Sequence, residues 1–178
     1  MEENYRKLKL EELNRLSNEE YSKVAKFPIV VVLDNIRSMN NVGSVFRTSD
    51  CFRIKKVMLC GITATPPHRE IRKTAIGAEE TVEWEYLEHT TDAIHQLKKE
   101  GYKIAAIEQT DNSIGLSQFI PTEKTAIVFG NEVDGVSEEA INLCDTVVEI
   151  PQFGTKHSFN IAVSAGVVIW EMHKKRTK

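Results

Sequence analysis

Long apolar runs are missing from this chain. Its most hydrophobic stretch, Ile161 to Trp170, covers ten residues, about half of the roughly 20 that a membrane-spanning helix needs. Glu2, Glu3, Arg6, Lys7 and Lys9 stand where the apolar core of a signal peptide would begin. A soluble, cytoplasmic protein is therefore expected. Cysteine is scarce: Cys51, Cys60 and Cys144 are odd in number and form no CxxC pair, which argues against a disulfide framework and a thiolate zinc site. The five histidines show no HExxH spacing, so no metal is expected. Excess positive charge is also lacking, the formal net charge being -3. That balance opposes a protein that coats nucleic acid through global charge, while leaving room for a local basic patch. Finally, no GxGxxG occurs, so a dinucleotide site lacks its fingerprint.

What the chain does contain is a regular alternation of strand and helix signals. Val/Ile-rich runs of strand length occur at 29–33, 56–62, 103–109, 125–130 and 146–151, and 81–87 alternates like a sixth strand. Helical patterns occupy 41–52, 69–78, 91–100, 137–144 and 160–175. Strands that are apolar throughout are covered on both faces, which gives an α/β class: a mostly parallel sheet with helices on both faces. Residues 1–27 differ, being highly charged with Leu10, Leu13 and Leu16 on one narrow helical stripe. They are expected to form a helical extension before a main domain at 28–178.

In parallel sheets, ligands collect beyond the carboxyl ends of strands. After 29–33 comes NNVGSVFRTSD, in which Asn41 suits a helix cap and Arg47 offers a planar fork for phosphate or carboxylate. Asp50, three residues on, is an alternative partner for Arg47. Gly43 costs a helix about 1 kcal/mol relative to alanine and lies one turn from Arg47, a spacing that makes room for a ligand or a second backbone. After 125–130 comes GNEVDGVS, which is in register with a phosphate loop except that Val136 replaces the lysine. What remains is a glycine-bounded turn carrying Glu132 beside Gly130. After 146–151, Ser158 and Asn160 flank Phe159, able to cap a helix or to hold a planar ring. Gln109 and Thr110 follow 103–109 in an ordinary turn. Arg69, Arg72 and Lys73 cluster in PPHREIRK, and HKKRTK at 173–178 is a basic tail; both read equally as RNA contacts or as solvated charge.

Three of these segments in order, NVGSVFR at 41–47, FGNEVDGVS at 129–137 and IPQFGTKHSFNIAVS at 150–164, resemble the TrmH (SpoU) family of S-adenosylmethionine-dependent RNA ribose 2'-O-methyltransferases in the SPOUT superfamily. The resemblance spans roughly 29–173. It implies a deep C-terminal trefoil knot, a homodimer, and tRNA or rRNA as the structured RNA partner. It also implies donor contacts from Gln109, Thr110, Gly130, Ile150, Ser158 and Phe159. The catalytic group it implies is Arg47 with Asn41, Glu132, Ser158 and Asn160, the arginine reaching the donor of the other subunit across Gly43. RNA would meet Arg47, Arg69, Arg72 and Lys73. A non-catalytic RNA-binding factor on the same fold is the alternative, and it predicts damage to Arg47, Glu132 or Asn160. All three are intact.

Overall fold

The computed structural model describes residues 5–176. After a 3-10 turn at Leu10–Leu13 come α1 (Asn18–Lys23), β1 (Phe27–Asp34), α2 (Met39–Cys51) and β2 (Ile54–Cys60). Next are α3 (Arg69–Ala75), α4 (Ala78–Thr81), β3 (Trp84–Leu87), α5 (Thr90–Lys99), β4 (Lys103–Ile107) and the two-residue β5 (Ile114–Gly115). The chain closes with β6 (Thr125–Phe129), α6 (Glu138–Leu143), β7 (Thr146–Glu149) and α7 (Ile161–Arg176).

All seven strands are parallel, in the order β3-β2-β1-β6-β4-β7-β5. The interior strand β1 pairs Ile29–Leu33 with Thr125–Phe129 of the central strand β6 and is buried from Ile29 onward. Its residues alternate between two cores, as strand geometry requires. Ile29, Val31 and Leu33 join α2, α3 and α7 on one face, while Val30 and Val32 join α5 and α6 on the other. The result is the three-layer α/β arrangement expected from the Val/Ile runs.

The expected helix over 69–78 is broken in two. Ile76 and Gly77 adopt left-handed backbone at φ 53° and 88°, so the chain turns between α3 and α4. In the N-terminal segment, Leu13 and Leu16 are exposed rather than forming an apolar stripe, and the side chain of Leu10 lies outside the described set. The anchor is Tyr21, which is buried on a helix opened by a Ser17–Glu20 capping box. Residues 1–4, and 177–178 of the basic tail, lie outside the described residues. Among the described residues no helix is long and apolar enough to cross a membrane, and no cluster of potential metal ligands occurs.

Gly43 has a different reason from the one its spacing suggests. A Cβ there would lie 2.1 Å from Thr74 Oγ1 and 2.2 Å from the Ile71 carbonyl oxygen. The space belongs to α3 of the same chain, which crosses α2 at this point, and Thr74 Oγ1 donates to the Asn40 carbonyl at 2.9 Å to seal the crossing.

Candidate active site

A cleft of about 690 Å³ opens at the carboxyl ends of β4, β6 and β7. Three loops wall it: Glu108–Thr110 after β4, Gly130–Val136 after β6, and Ile150–Asn160 after β7. The sequence-predicted residues Gln109, Thr110, Gly130, Glu132, Ile150, Ser158, Phe159 and Asn160 all line it.

The loop after β6 is held tightly. Asn131 and Gly135 exchange backbone hydrogen bonds at 2.9 and 3.0 Å, and a Cβ on Gly130 would fall 2.0 Å from the carbonyl carbon of Gly135. Only glycine permits that approach. Asn131 Nδ2 donates to the Asn35 carbonyl at 2.7 Å, tying the turn to the end of β1. The Ser137 backbone N–H and hydroxyl both donate to Asp34 Oδ2 at 2.9 Å. Asp34 is buried and also receives Asn35 Nδ2 and the Thr90 hydroxyl, so its charge is fully satisfied. On the other wall, Gln109 Nε2 donates to the His157 carbonyl at 2.7 Å, joining the β4 and β7 loops.

Glu132 reaches from this turn to the start of α2. The backbone N–H groups of Arg37 and Ser38 donate to its carboxylate at 2.9 and 3.1 Å, and Asn41 Nδ2 donates at 2.9 Å. Partial burial acts to raise its pKa, but these hydrogen bonds outweigh burial and hold the carboxylate below its usual range. Asn160 Nδ2 then donates to Asn41 Oδ1 at 3.2 Å, while Asn160 Oδ1 accepts from the Ala162 N–H at 2.9 Å and so caps α7. One relay, Glu132–Asn41–Asn160, thus joins the three sequence motifs. The cap of α2 is Ser38 rather than Asn41, because Asn41 already lies in the first turn and donates its N–H to Ser38 Oγ. Ser158 is exposed and makes no hydrogen bond among the described residues.

Arg47 stands apart. It is exposed, forms no hydrogen bond or ion pair among the described residues, and lines a separate groove of about 650 Å³ with Arg15, Tyr21, Asp50 and Arg53. Asn41 and Glu132 are committed to the relay, and neither hydrogen-bonds to Arg47 among the described residues. Asp50 does not pair with it either, accepting instead from the Thr81 hydroxyl at 2.6 Å. In the basic cluster, Arg72 pairs with Glu80 at 3.3 Å and Lys73 with Glu70 at 3.9 Å, whereas Arg69 is exposed and unpaired among the described residues.

Sequence reasoning missed Glu108 and Asp34. Glu108 accepts from the Val136 N–H at 3.1 Å and the Gln109 N–H at 2.8 Å, clamping two cleft loops together. Each is an acidic residue immediately after, or ending, an apolar strand run, and that position was the available signal. Together Glu108, Glu132, Asp134, Glu138 and Glu149 make the cleft acidic, and among the described residues no lysine or arginine lines it. Such a wall disfavours a phosphate-bearing ligand and favours a cationic one.

The parallel sheet order and a cleft framed by three strand-end loops define an α/β protein with a ligand site at the carboxyl ends of its strands. The chain belongs to the SpoU rRNA Methylase family, whose model matches residues 28–170. It is 32% identical over 149 residues to the 23S rRNA (guanosine-2'-O-)-methyltransferase RlmB of Neisseria meningitidis, covering 84% of this chain and 59% of that protein. It is 29% identical over 170 residues to the tRNA (guanosine(18)-2'-O)-methyltransferase of Thermus thermophilus, covering 94% of this chain and 85% of the relative. The fold matches the A. aeolicus TrmH/SpoU tRNA modifying enzyme with a TM-score of 0.80 at 23% identity, over 90% of this chain and 80% of that one. It also matches the SpoU methyltransferase AviRb of Streptomyces viridochromogenes in complex with AdoMet, with a TM-score of 0.79 at 20% identity, over 88% and 61% of the two chains.

Proposed function

We propose that this protein is an S-adenosylmethionine-dependent RNA methyltransferase acting on a ribose 2'-hydroxyl of tRNA or rRNA. The observation that carries the reading is the acidic cleft, free of lysine and arginine among the described residues, which brings the loops of the second and third motifs together while the first motif is tied to them through Asn41. S-adenosylmethionine is a sulfonium with a planar adenine, and it supplies the methyl group when bound. Gln109, Thr110, Gly130, Ile150, Ser158 and Phe159 are the residues that would hold it. Phe159, part-exposed at the cleft wall, offers a face for the ring.

A ribose hydroxyl is a weak nucleophile, so it must be oriented and relieved of its proton during attack. Arginine stays protonated in proteins and is no general base. Arg47 therefore acts as a fixed cation on an RNA phosphate, stabilising alkoxide character while the proton leaves through that phosphate or water. The Glu132–Asn41–Asn160 relay holds the cleft loops against the start of the helix that bears Arg47, and Ser158 remains free to meet the ribose.

Because Arg47 does not line the cleft of its own chain, the complete site is assigned to a homodimer in which each subunit offers its arginine to the other's cleft. The exposed stripe of Val163, Val167 and Trp170 on α7 is the apolar surface that supports this. The C-terminal loops are assigned to the trefoil knot that the family implies, and 1–27 to an extension of the 28–178 methyltransferase domain. The protein is assigned to the cytoplasm with its RNA.

The test is transfer of labelled methyl from S-adenosylmethionine to separated tRNA and rRNA of a strain lacking the protein, with nucleosides identified by mass spectrometry. A 2'-O-methylated nucleoside is expected. Methyl on a base would overturn the ribose assignment, and RNA binding with no transfer would favour the non-catalytic factor.

A further inference from the structure

The groove beside Arg47 holds two further arginines that the methyl-transfer mechanism does not use. Its volume is about 650 Å³, and Arg15, Arg47 and Arg53 line it from three segments: the N-terminal extension, α2, and the turn between α2 and β2. All three are exposed, and none of their guanidinium groups has a hydrogen bond or ion pair among the described residues. The two carboxylates of the groove serve other groups, since Asp50 accepts from the Thr81 hydroxyl and Glu80 pairs with Arg72. Arg6 of the same extension, by contrast, is held by Glu12 at 2.6 Å. Like charges gathered without counterions repel one another, and a polyanion removes that cost. Arg53 carries a second, independent signal. Its φ is 52°, the left-handed backbone that commonly ends a helix and that glycine adopts without steric cost. The turn uses only its backbone: the Arg53 N–H donates to the Asp50 carbonyl at 2.9 Å, and the Arg53 carbonyl accepts from the Phe27 N–H at 2.7 Å. The side chain adds no internal hydrogen bond or ion pair to offset the strain. Its one structural gain is a positive charge at the C-terminal end of α2.

We propose that this groove holds the sugar-phosphate backbone of the RNA beside the target nucleotide, with Arg15 and Arg53 each on a phosphate that flanks the one met by Arg47. The inference rests on the RNA-substrate reading above. A guanidinium fork matches two phosphate oxygens at once, and phosphate contacts fix the register of a nucleic acid without reading its sequence. The N-terminal extension thereby becomes part of the substrate site. Tyr21, buried and lining the same groove, anchors that extension and so fixes where Arg15 stands. In the homodimer assigned above, Arg47 reaches the other subunit's cleft. The RNA therefore enters each cleft across the subunit that does not hold its methyl donor.

The test measures binding of the full-length protein to two fluorescent RNA hairpins of unrelated sequence, at salt concentrations from about 50 to 200 mM. Arg15→Ala and Arg53→Gly are each expected to weaken both hairpins alike and to reduce the slope of log affinity against log salt by about 0.7 to 0.9. Arg53→Lys, which keeps the charge, should retain the slope. Arg53→Gly should also melt no lower than the unaltered protein, because relief of the left-handed backbone offsets the lost helix-end charge and glycine's greater freedom when unfolded. In transfer to whole RNA, both charge-removing variants should raise the KM for RNA more than they lower kcat. A slope unchanged in both would overturn the groove. So would conversion of either variant to monomers by sedimentation, which would assign its arginine to the acidic cleft of a second subunit. If the unaltered protein neither bound nor methylated RNA, the RNA reading itself would fall; methyl transfer with an unchanged slope would condemn the groove alone.

Discussion

Gly43 shows how one absent carbon can be read correctly in kind and wrongly in cause. The sequence states that something approaches a helix closely there, but not what, because the neighbour lies some thirty residues on, in α3. Gly43→Ala should improve helix propensity locally and still destabilise the protein by about 1–3 kcal/mol, as overpacking does, since the Ile71 carbonyl oxygen is backbone. A urea midpoint that rises would contradict this. Glu132 was likewise legible as a strand-end carboxylate, while its partners were not, because they are backbone N–H groups of residues 37 and 38, whose placement depends on tertiary structure. Its folded pKa lies below the ordinary value. The stabilisation it gives is therefore complete above the unfolded carboxylate pKa, and is lost as pH falls through the lower folded value. Glu132→Gln should flatten that acid limb in thermal melts followed against pH.

At the scale of elements, the Val/Ile runs revealed all the long strands, because burial on both faces leaves a continuous apolar signature. They could not reveal β5, whose two residues pair with β7 without any pattern of their own. Nor could they reveal the break between α3 and α4, where a left-handed Ile76 has no local excuse. The segment after β5 is instead fixed from a distance. Lys175 Nζ on α7 donates to the carbonyls of Leu116, Ser117 and Phe119 at 2.9, 2.8 and 2.8 Å. Hydrogen bonds from a charged donor are worth roughly 1.5–3 kcal/mol where they are partly buried. Lys175→Met should lower stability by about that much and speed amide exchange across 114–120 more than in β1. Uniform acceleration across the sheet would assign Lys175 to general stability instead.

For the whole molecule, the separation between Arg47 and the cleft is the decisive geometry. Arg47→Ala should abolish methyl transfer with little change in melting temperature or S-adenosylhomocysteine affinity, because the Arg47 side chain has no partner to lose among the described residues. Asn160→Asp, which swaps a donor for a charge next to Asn41, should inactivate the cleft. If sites are shared between subunits, mixing the two inactive proteins under exchange should restore about a quarter of wild-type activity, since half of the dimers are mixed and each has one intact site. No recovery, with mixed dimers present, would place Arg47 and its cleft on the same subunit. Trp170→Glu should give monomers by sedimentation and silence transfer in parallel.

The pairing of β1 with β6 also has a consequence for how the chain is made. Residues 29–33 find one neighbour soon, in β2, but their other neighbour lies at 125–129, and the Asp34 carboxylate waits for Ser137. On the ribosome, where domains form as the chain emerges, the first hundred residues would hold an open, apolar strand edge of the kind that recruits other chains. A nascent chain stalled before Thr125 should be held by chaperones, and one stalled after release of Ser137 should begin to resist protease at β1.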